Sequence, residues 1–380
     1  MKILVIDPWC SDKYEVYTIG FCEGLSNKVD LTLCSSYHET RKTDKYKIVP
    51  LFFRMSDRMK RSKFRTIIRG LEYVTSYMKI CRMLKKQKFD VVHVEWALIH
   101  KIDIFFLKKM RKMGVKKLVY TSHNVIPHVN GEQHVEGLRK LHKYFDNILV
   151  HGIDIKKEYL SYFPEDRDKL CIQYHGVHFT QQTDYSISNV SEDLINFIKK
   201  CDGRLCIFVG NIFFNKGTDR VINYWLENEN NSGNRLLIAG AYTNAYKELE
   251  DQKEIIEQKD NILFVPRFLN DDEFAYVVSK SQIVTIPYRH ASMSGIVYSA
   301  AAFSKTIVYT DTGAISEYVG PNCGFVSENN DASYNETLSH VMKLPEQELE
   351  ETGKKLHDWI YTNYDWNVIT EKLKREVYER

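Results

Sequence analysis

The chain has 380 residues, 43% hydrophobic and 27% charged, which are globular values and too many residues for one ordinary core, so two domains are expected. No run reaches the roughly 18 apolar residues of a membrane-spanning helix, and residues 1–7 form a short apolar strand, not a signal peptide. Eight cysteines lie scattered with no C-x-x-C pair, which suggests neither a zinc site nor a disulfide framework and points to a reducing cytoplasm.

Residues 2–7 and 29–34 are the first two strands, with a helix over 14–25 between them. Residues 47–53 form a short third strand. A basic stretch follows. Residues 54–88 hold twelve Lys or Arg against Asp57 and Glu72, a net +10 in a chain of net +3, so the remainder carries −7. Its second half spaces Ile67/Ile68, Leu71, Val74, Met78, Cys81 and Leu84 at helical intervals, with Lys79, Arg82, Lys85 and Lys86 largely off that stripe. Strands at 90–96, 117–122, 147–150 and 170–174 then alternate with helices at 104–113, 138–145 and 156–162. Such alternation predicts a parallel, doubly wound sheet.

His175, Gly176 and the polar run 180–191 read as a linker. A second α/β series starts with a strand at 205–209 and a helix at 219–227. It continues with strands at 235–239, 262–265, 282–286 and 306–309 and helices at 245–258 and 272–279. Helices at about 335–343, 345–362 and 366–378 close the chain. There is no short repeat and no low-complexity block.

Ligands of such sheets bind beyond the C-terminal strand ends. Four groups of residues lie there. The strand at 282–286 runs into a small-residue turn, Ala291 to Gly295, and then a helix. Ser292, Ser294 and Gly295 at that helix start suit a phosphate, through backbone N–H groups, hydroxyls and close approach; an ordinary βα turn has the same pattern. Gly210 ends the 205–209 strand, and Lys216-Gly217 opens the next helix, where a lysine can reach a diphosphate. A solvated lysine is the alternative, although a cation at a helix N-terminus opposes the dipole unless an anion is present. His123 stands just past its strand with Asn124 and His128 nearby; a structural histidine fits equally. Asp311 to Glu317 holds Gly313 in a tight turn, and Glu317 either serves a ligand or caps a helix. No P-loop and no G-x-G-x-x-G follows strand one, so kinase, ATPase and NAD readings lack their fingerprints. No His/Asp cluster suggests a metal, and no cofactor is expected.

Val209-Gly-Asn-Ile…Lys216-Gly, Leu236-Leu-Ile-Ala-Gly240, Pro287-Tyr…Ser-Gly295, the run from Lys305 to Glu317, Thr-Ser-His123-Asn and the closing Tyr364-Asp-Trp366 together resemble GT-B-fold glycosyltransferases. The similarity is to the large retaining family 4, which includes sucrose synthases and many bacterial polysaccharide enzymes, and it covers nearly the whole chain. It implies an α/β fold of two Rossmann-like domains facing across a cleft. Residues 1–175 would be the acceptor side, with a helix at about 364–380 packed back on it, and 176–363 would bind the nucleotide sugar. By the same resemblance His123 contacts the transferring sugar and Lys216 carries diphosphate charge. Gly210, Asn211, Ser292, Ser294, Gly295 and Ser299 hold the donor, and Asn124 and His128 lie on the acceptor side. Neither metal nor enzymic nucleophile is implied.

Two departures stand out. The family's pair of glutamates falls at Ala291 and Ser299, and its arginine at Asn211. Ser299 keeps one hydrogen bond for a ribose and Asn211 one for a phosphate, and a branch of the family lacks the glutamates. A GT-B nucleotide-sugar epimerase, which needs paired carboxylates in the cleft, and a non-catalytic binding subunit are the competing readings. For residues 54–88 docking on the anionic inner face of the plasma membrane is expected, which would give access to a lipid-linked acceptor, with a solvated charged face as the alternative. Nucleic acid is not expected as a partner.

Overall fold

The computed structural model describes residues 1–11, 16–39, 41–127, 131–177, 184–228, 233–242, 247–291 and 294–380. The chain forms two units, Met1–Gly176 with Tyr364–Arg380, and Val177–Asn363. In the first, seven strands pair in parallel: β1 (Lys2–Ile6), β2 (Asp30–Ser36), β3 (Lys47–Phe52), β4 (Val91–Val94), β5 (Lys117–Thr121), β6 (Asn147–Val150) and β7 (Leu170–Ile172). Their order is β3-β2-β1-β4-β5-β6-β7. β1 and β4 are buried along almost their whole length, as strands covered on both faces must be, which is why they read as unbroken apolar runs. The order reverses between β1 and β4, and the residues just past them are Asp7 and Glu95.

The second unit repeats the plan with β8 (Leu205–Val209), β9 (Arg235–Ala239), β10 (Ile262–Val265), β11 (Ile283–Ile286), β12 (Thr306–Thr310) and β13 (Phe325–Ser327). Their order is β10-β9-β8-β11-β12-β13, again all parallel. Here the reversal falls between β8 and β11, so Gly210 and Pro287 open the crevice where such a sheet takes its ligand.

The basic stretch departs from expectation. Its helix, Lys63–Lys86, buries Tyr73, Ser76, Tyr77, Ile80, Cys81 and Leu84, while Ile67, Leu71 and Met78 of the expected apolar stripe are exposed. The tyrosines win the inward face because their polar tips have a partner. Both hydroxyls donate to the buried Asp103 Oδ1, at 2.6 and 3.0 Å, and the rings pack against Phe52, Phe53 and Phe106. A buried tyrosine without such a partner would leave its hydroxyl desolvated.

The closing helix, Trp366–Leu373, starts on an Asp365 cap and continues as one π-helical turn, Lys374–Tyr378. Trp366 nests where Gly20, Gly24 and Gly176 leave room. A Cβ on Gly20 or Gly176 would fall 2.1–2.2 Å from its indole, and one on Gly24 would fall 2.6 Å from its carbonyl oxygen.

Candidate active site

In the second unit three strand-end residues meet around Tyr288. The loop after β8 ends in a single turn, Phe214–Lys216, and Gly217 takes φ +62° before the helix Thr218–Glu227 begins. Only glycine fits there, since a Cβ would lie 2.0 Å from the Pro287 carbonyl oxygen. Lys216 is half-buried, with Nζ 3.8 Å from the Tyr288 ring centroid, and burial lowers its pKa below the ordinary lysine value. Gly210, at φ +145°, stands so that among the described residues a Cβ would meet the Tyr288 hydroxyl alone, at 3.9 Å. Ser294 caps the helix Gly295–Ala302 in position but not in bonding: its buried hydroxyl donates to Tyr288 Oη at 3.1 Å. The first N–H groups of that helix therefore receive nothing from the Ser294 side chain, although Val297 N–H donates to the Ser294 carbonyl oxygen at 3.2 Å. Among the described residues nothing comes within 4 Å of where a Cβ would stand on Gly295.

The loops carrying these residues are tied to each other. Arg289 makes a two-pronged pair with Asp219 at 2.6–2.7 Å and donates to Phe214 O at 3.0 Å. The backbone N–H groups of Arg289 and His290 both reach Asn215 O, at 2.9 and 3.2 Å. Such a fork fixes geometry as well as adding energy.

In the first unit a polar network sits at the β1/β4 reversal. Glu95 is fully buried, and His123 Nε2 lies 2.9 Å from its Oε2. His123 Nδ1 lies 3.3 Å from His151 Nε2, and His151 Nδ1 donates to Gln173 O at 2.9 Å. The His123 ring stacks on Trp96, centroids 4.5 Å apart and planes 12° apart, and Trp96 meets Trp9 at 6.2 Å. Burial raises the pKa of Glu95 and lowers that of His123 to about 4. Asp7 is buried too and pushed up to about 6, mainly by desolvation. It accepts from the backbone N–H groups of Trp9 and Cys10 and from the Thr18 hydroxyl, so it serves the turn after β1.

A family model described as glycosyl transferases group 1 matches residues 191–366, and one described as glycosyl transferase 4-like matches residues 9–151. The chain belongs to the GT-B, family 4-like glycosyltransferases. No curated protein matches it. Among solved structures it resembles sucrose-phosphate synthase from Thermosynechococcus elongatus, at 11% identity and TM-score 0.71 over 100% of this chain and 98% of that one. It resembles Anabaena HepE in complex with UDP and glucose at 12% identity and TM-score 0.64, over 100% of both chains. It resembles a UDP-forming trehalose-phosphate synthase from Burkholderia xenovorans in complex with glucose-6-phosphate at 11% identity and TM-score 0.66, over 99% of both. At these identities the likeness shows the fold: two Rossmann-like domains of the GT-B class.

Within this glycosyltransferase the sequence-derived residues separate. Gly210, Lys216 and Ser294 gather about Tyr288, and Gly295 opens the helix next to Ser294. Asn211 is exposed just beyond Gly210, but Ser299 is buried and returns its hydroxyl to Gly295 O at 3.3 Å. Lys216 ends its own turn and is not the first residue of the following helix, and it is half-buried. His123 lies in the Glu95 network and Asn124 is exposed beside it, its carbonyl accepting from Ser122 Oγ at 3.0 Å. His128 and Ser292 lie outside the described residues. Among the described residues no group of three or more His, Cys, Asp or Glu could hold a metal. Tyr288 belongs to the Pro287-Tyr…Ser-Gly295 run, but motif and spacing give it no role of its own. Nor do they single out Glu95, the first residue past β4, whose position beyond a buried strand is the available signal.

Proposed function

We propose that the unit Val177–Asn363 binds a nucleotide sugar and that the chain transfers its sugar to a glycan or lipid-linked acceptor held by the other unit, in bacterial polysaccharide biosynthesis. The observation that carries this reading is the meeting of Gly210, Lys216 and Ser294 around Tyr288 at the β8/β11 reversal of a glycosyltransferase fold. Lys216 and the N-terminus of helix Gly295–Ala302 would take the charge of the departing diphosphate, so no metal is required. The sugar C1–O bond to the diphosphate breaks as the acceptor oxygen bonds to C1 from the same face. The acceptor proton passes to the departing phosphate oxygen, and configuration is retained without an enzymic nucleophile. The complexes of Anabaena HepE with UDP and glucose make UDP sugars the first donors to try.

A panel of nucleotide sugars tests it. Slow release of nucleoside diphosphate and free sugar of unchanged identity is expected from one donor. Nucleoside diphosphate with an altered sugar would support the epimerase, and no release from any donor the binding subunit.

The same proposal places the helix Lys63–Lys86 on an anionic membrane surface. Phe64, Ile67 and Leu71 are 62–64% exposed, Met78 shares their face, and Lys60, Lys63, Lys79 and Lys86 are exposed alongside. No helix among the described residues is long and apolar enough to cross a membrane. Each cation near such a surface adds about 1 kcal/mol. Binding to vesicles with anionic lipid but not to neutral ones is expected, weakening as salt rises. Phe64→Ser with Leu71→Ser should lower it about tenfold or more. Equal binding to both vesicle types, or none to either, would return the helix to a solvated face.

A further inference from the structure

The twelve cations of residues 54–88 do not all face outward. Arg58, Arg61, Arg65 and Arg69 line one cavity of about 640 Å³ together with Trp9 and His38. The cavity opens past the C-terminal ends of β1 and β2 and beside the segment after β3, the ligand edge of this sheet. Two of the arginines are held in place. Arg65 Nε donates to Ser56 O at 2.7 Å, and Arg69 pairs with Asp57 and lies 3.5 Å over the Phe53 ring centroid. Arg58 and Arg61 make no side-chain hydrogen bond or ion pair with any described residue. Among the described lining residues Asp57 is the only carboxylate, set against four guanidinium groups. On the same wall His38 Nε2 is buried with no hydrogen-bond partner. Like charges gathered in one concavity, with an orphaned ring nitrogen among them, are stabilised when an anion enters. Forked guanidinium groups match a phosphate in particular.

A second feature says what carries the phosphate. Trp9 forms the apolar part of the wall and is 44% exposed. Its ring meets Trp96, and Trp96 stacks on His123, so an aromatic path joins the arginines to the β1/β4 reversal. Flat apolar faces of this kind suit the C–H face of a sugar ring.

We propose that this cavity binds a phosphate of the acceptor: the acceptor is a phosphorylated sugar whose phosphate rests on Arg58, Arg61, Arg65 and Arg69 while its ring lies along Trp9 and Trp96. The proposal rests on the reading of the Met1–Gly176 unit as the acceptor side. Two sources share the chemistry, a soluble sugar phosphate and a lipid-linked sugar diphosphate.

Calorimetry with inorganic pyrophosphate on the full chain carrying Lys216→Ala, which removes the lysine assigned to the donor diphosphate, tests the cavity without any donor or transfer. Saturable binding is expected, weaker at high salt, and about 30-fold weaker in Arg58→Ser/Arg61→Ser, two exposed positions whose change spares the core. Transfer assays, with Lys216 in place, then use glucose 6-phosphate, a prenyl diphosphate sugar in detergent, and glucose. The phosphorylated acceptor that is used should show KM raised about 30-fold in the double variant, with kcat changed far less, and which one is used identifies the source. Unchanged pyrophosphate affinity in the double variant overturns the proposal, as does glucose serving as well as both phosphorylated acceptors. Pyrophosphate binding that is lost in the variant, in a protein that releases no nucleoside diphosphate from any donor, would sustain the anion site while overturning the transferase reading.

Discussion

Lys216→Ala is expected to lower donor turnover on the order of 100-fold, the usual loss when one preorganised charge on a transition-state anion is removed. Its ammonium is half-buried over the Tyr288 ring, and no described carboxylate pairs with it. Burial without a counter-ion is what lowers its pKa, and a diphosphate would supply the missing charge. The loop does not depend on the lysine for its shape. Gly217, the Arg289–Asp219 fork and the two bonds to Asn215 O hold it. The melting temperature should therefore move by about 2 °C or less. The sign of the pH effect follows. Bound diphosphate favours the charged lysine, so nucleotide affinity is full below the lowered pKa and declines as pH rises through it, earlier than an unperturbed lysine would allow. Lys216→Arg, which does not titrate in this range, should lose that alkaline decline. Turnover of Lys216→Ala within about twofold of the unmodified protein would take Lys216 out of the site.

The second large effect concerns Glu95 and His123. Gln173 O can only accept, so His151 carries its proton on Nδ1 and offers a lone pair at Nε2. His123 Nδ1 then supplies the hydrogen across 3.3 Å, and His123 Nε2 faces Glu95 Oε2 at 2.9 Å with one proton between them. Burial opposes charge on both partners, which raises Glu95 and lowers His123 to about 4. We infer a neutral pair, with protonated Glu95 donating to the ring. Glu95→Gln preserves a donor of the same size, so turnover should stay within about threefold. Glu95→Ala should cost about 100-fold, like His123→Ala, with nucleoside diphosphate affinity within about twofold throughout. His123 would reach a sugar oxygen by exchanging the longer contact, the one to His151. Turnover should show no acid limb near the usual histidine value of about 6.5, because His123 takes up its second proton only near 4. Equal damage from Gln and Ala at position 95 would mean an ionised carboxylate facing an imidazolium. His123→Ala within about threefold of the unmodified protein would leave His123 a structural member of the network.

Much of this architecture is legible along the chain. β1, β4, β8 and β11 are short apolar runs that end at Asp7, Glu95, Gly210 and Pro287, and strand–helix alternation leads to a doubly wound sheet. Lys216-Gly217 and Ser294-Gly295 can be placed at strand ends because each signal lies within a few neighbouring residues. The inward face of helix Lys63–Lys86 cannot be chosen that way, since two apolar faces compete. Asp103, 30 residues beyond Tyr73, settles the matter by giving the tyrosine hydroxyls a buried acceptor. Partnerships across the chain stay equally hidden. His123 finds Glu95 28 residues away, and Lys216 finds Tyr288, because strand register and helix packing set those side chains side by side. Backbone periodicity and strand-end chemistry act through neighbours in the chain and can be read along it. Side-chain pairing across a sheet depends on register, rotamer and burial, which exist once the strands have come together.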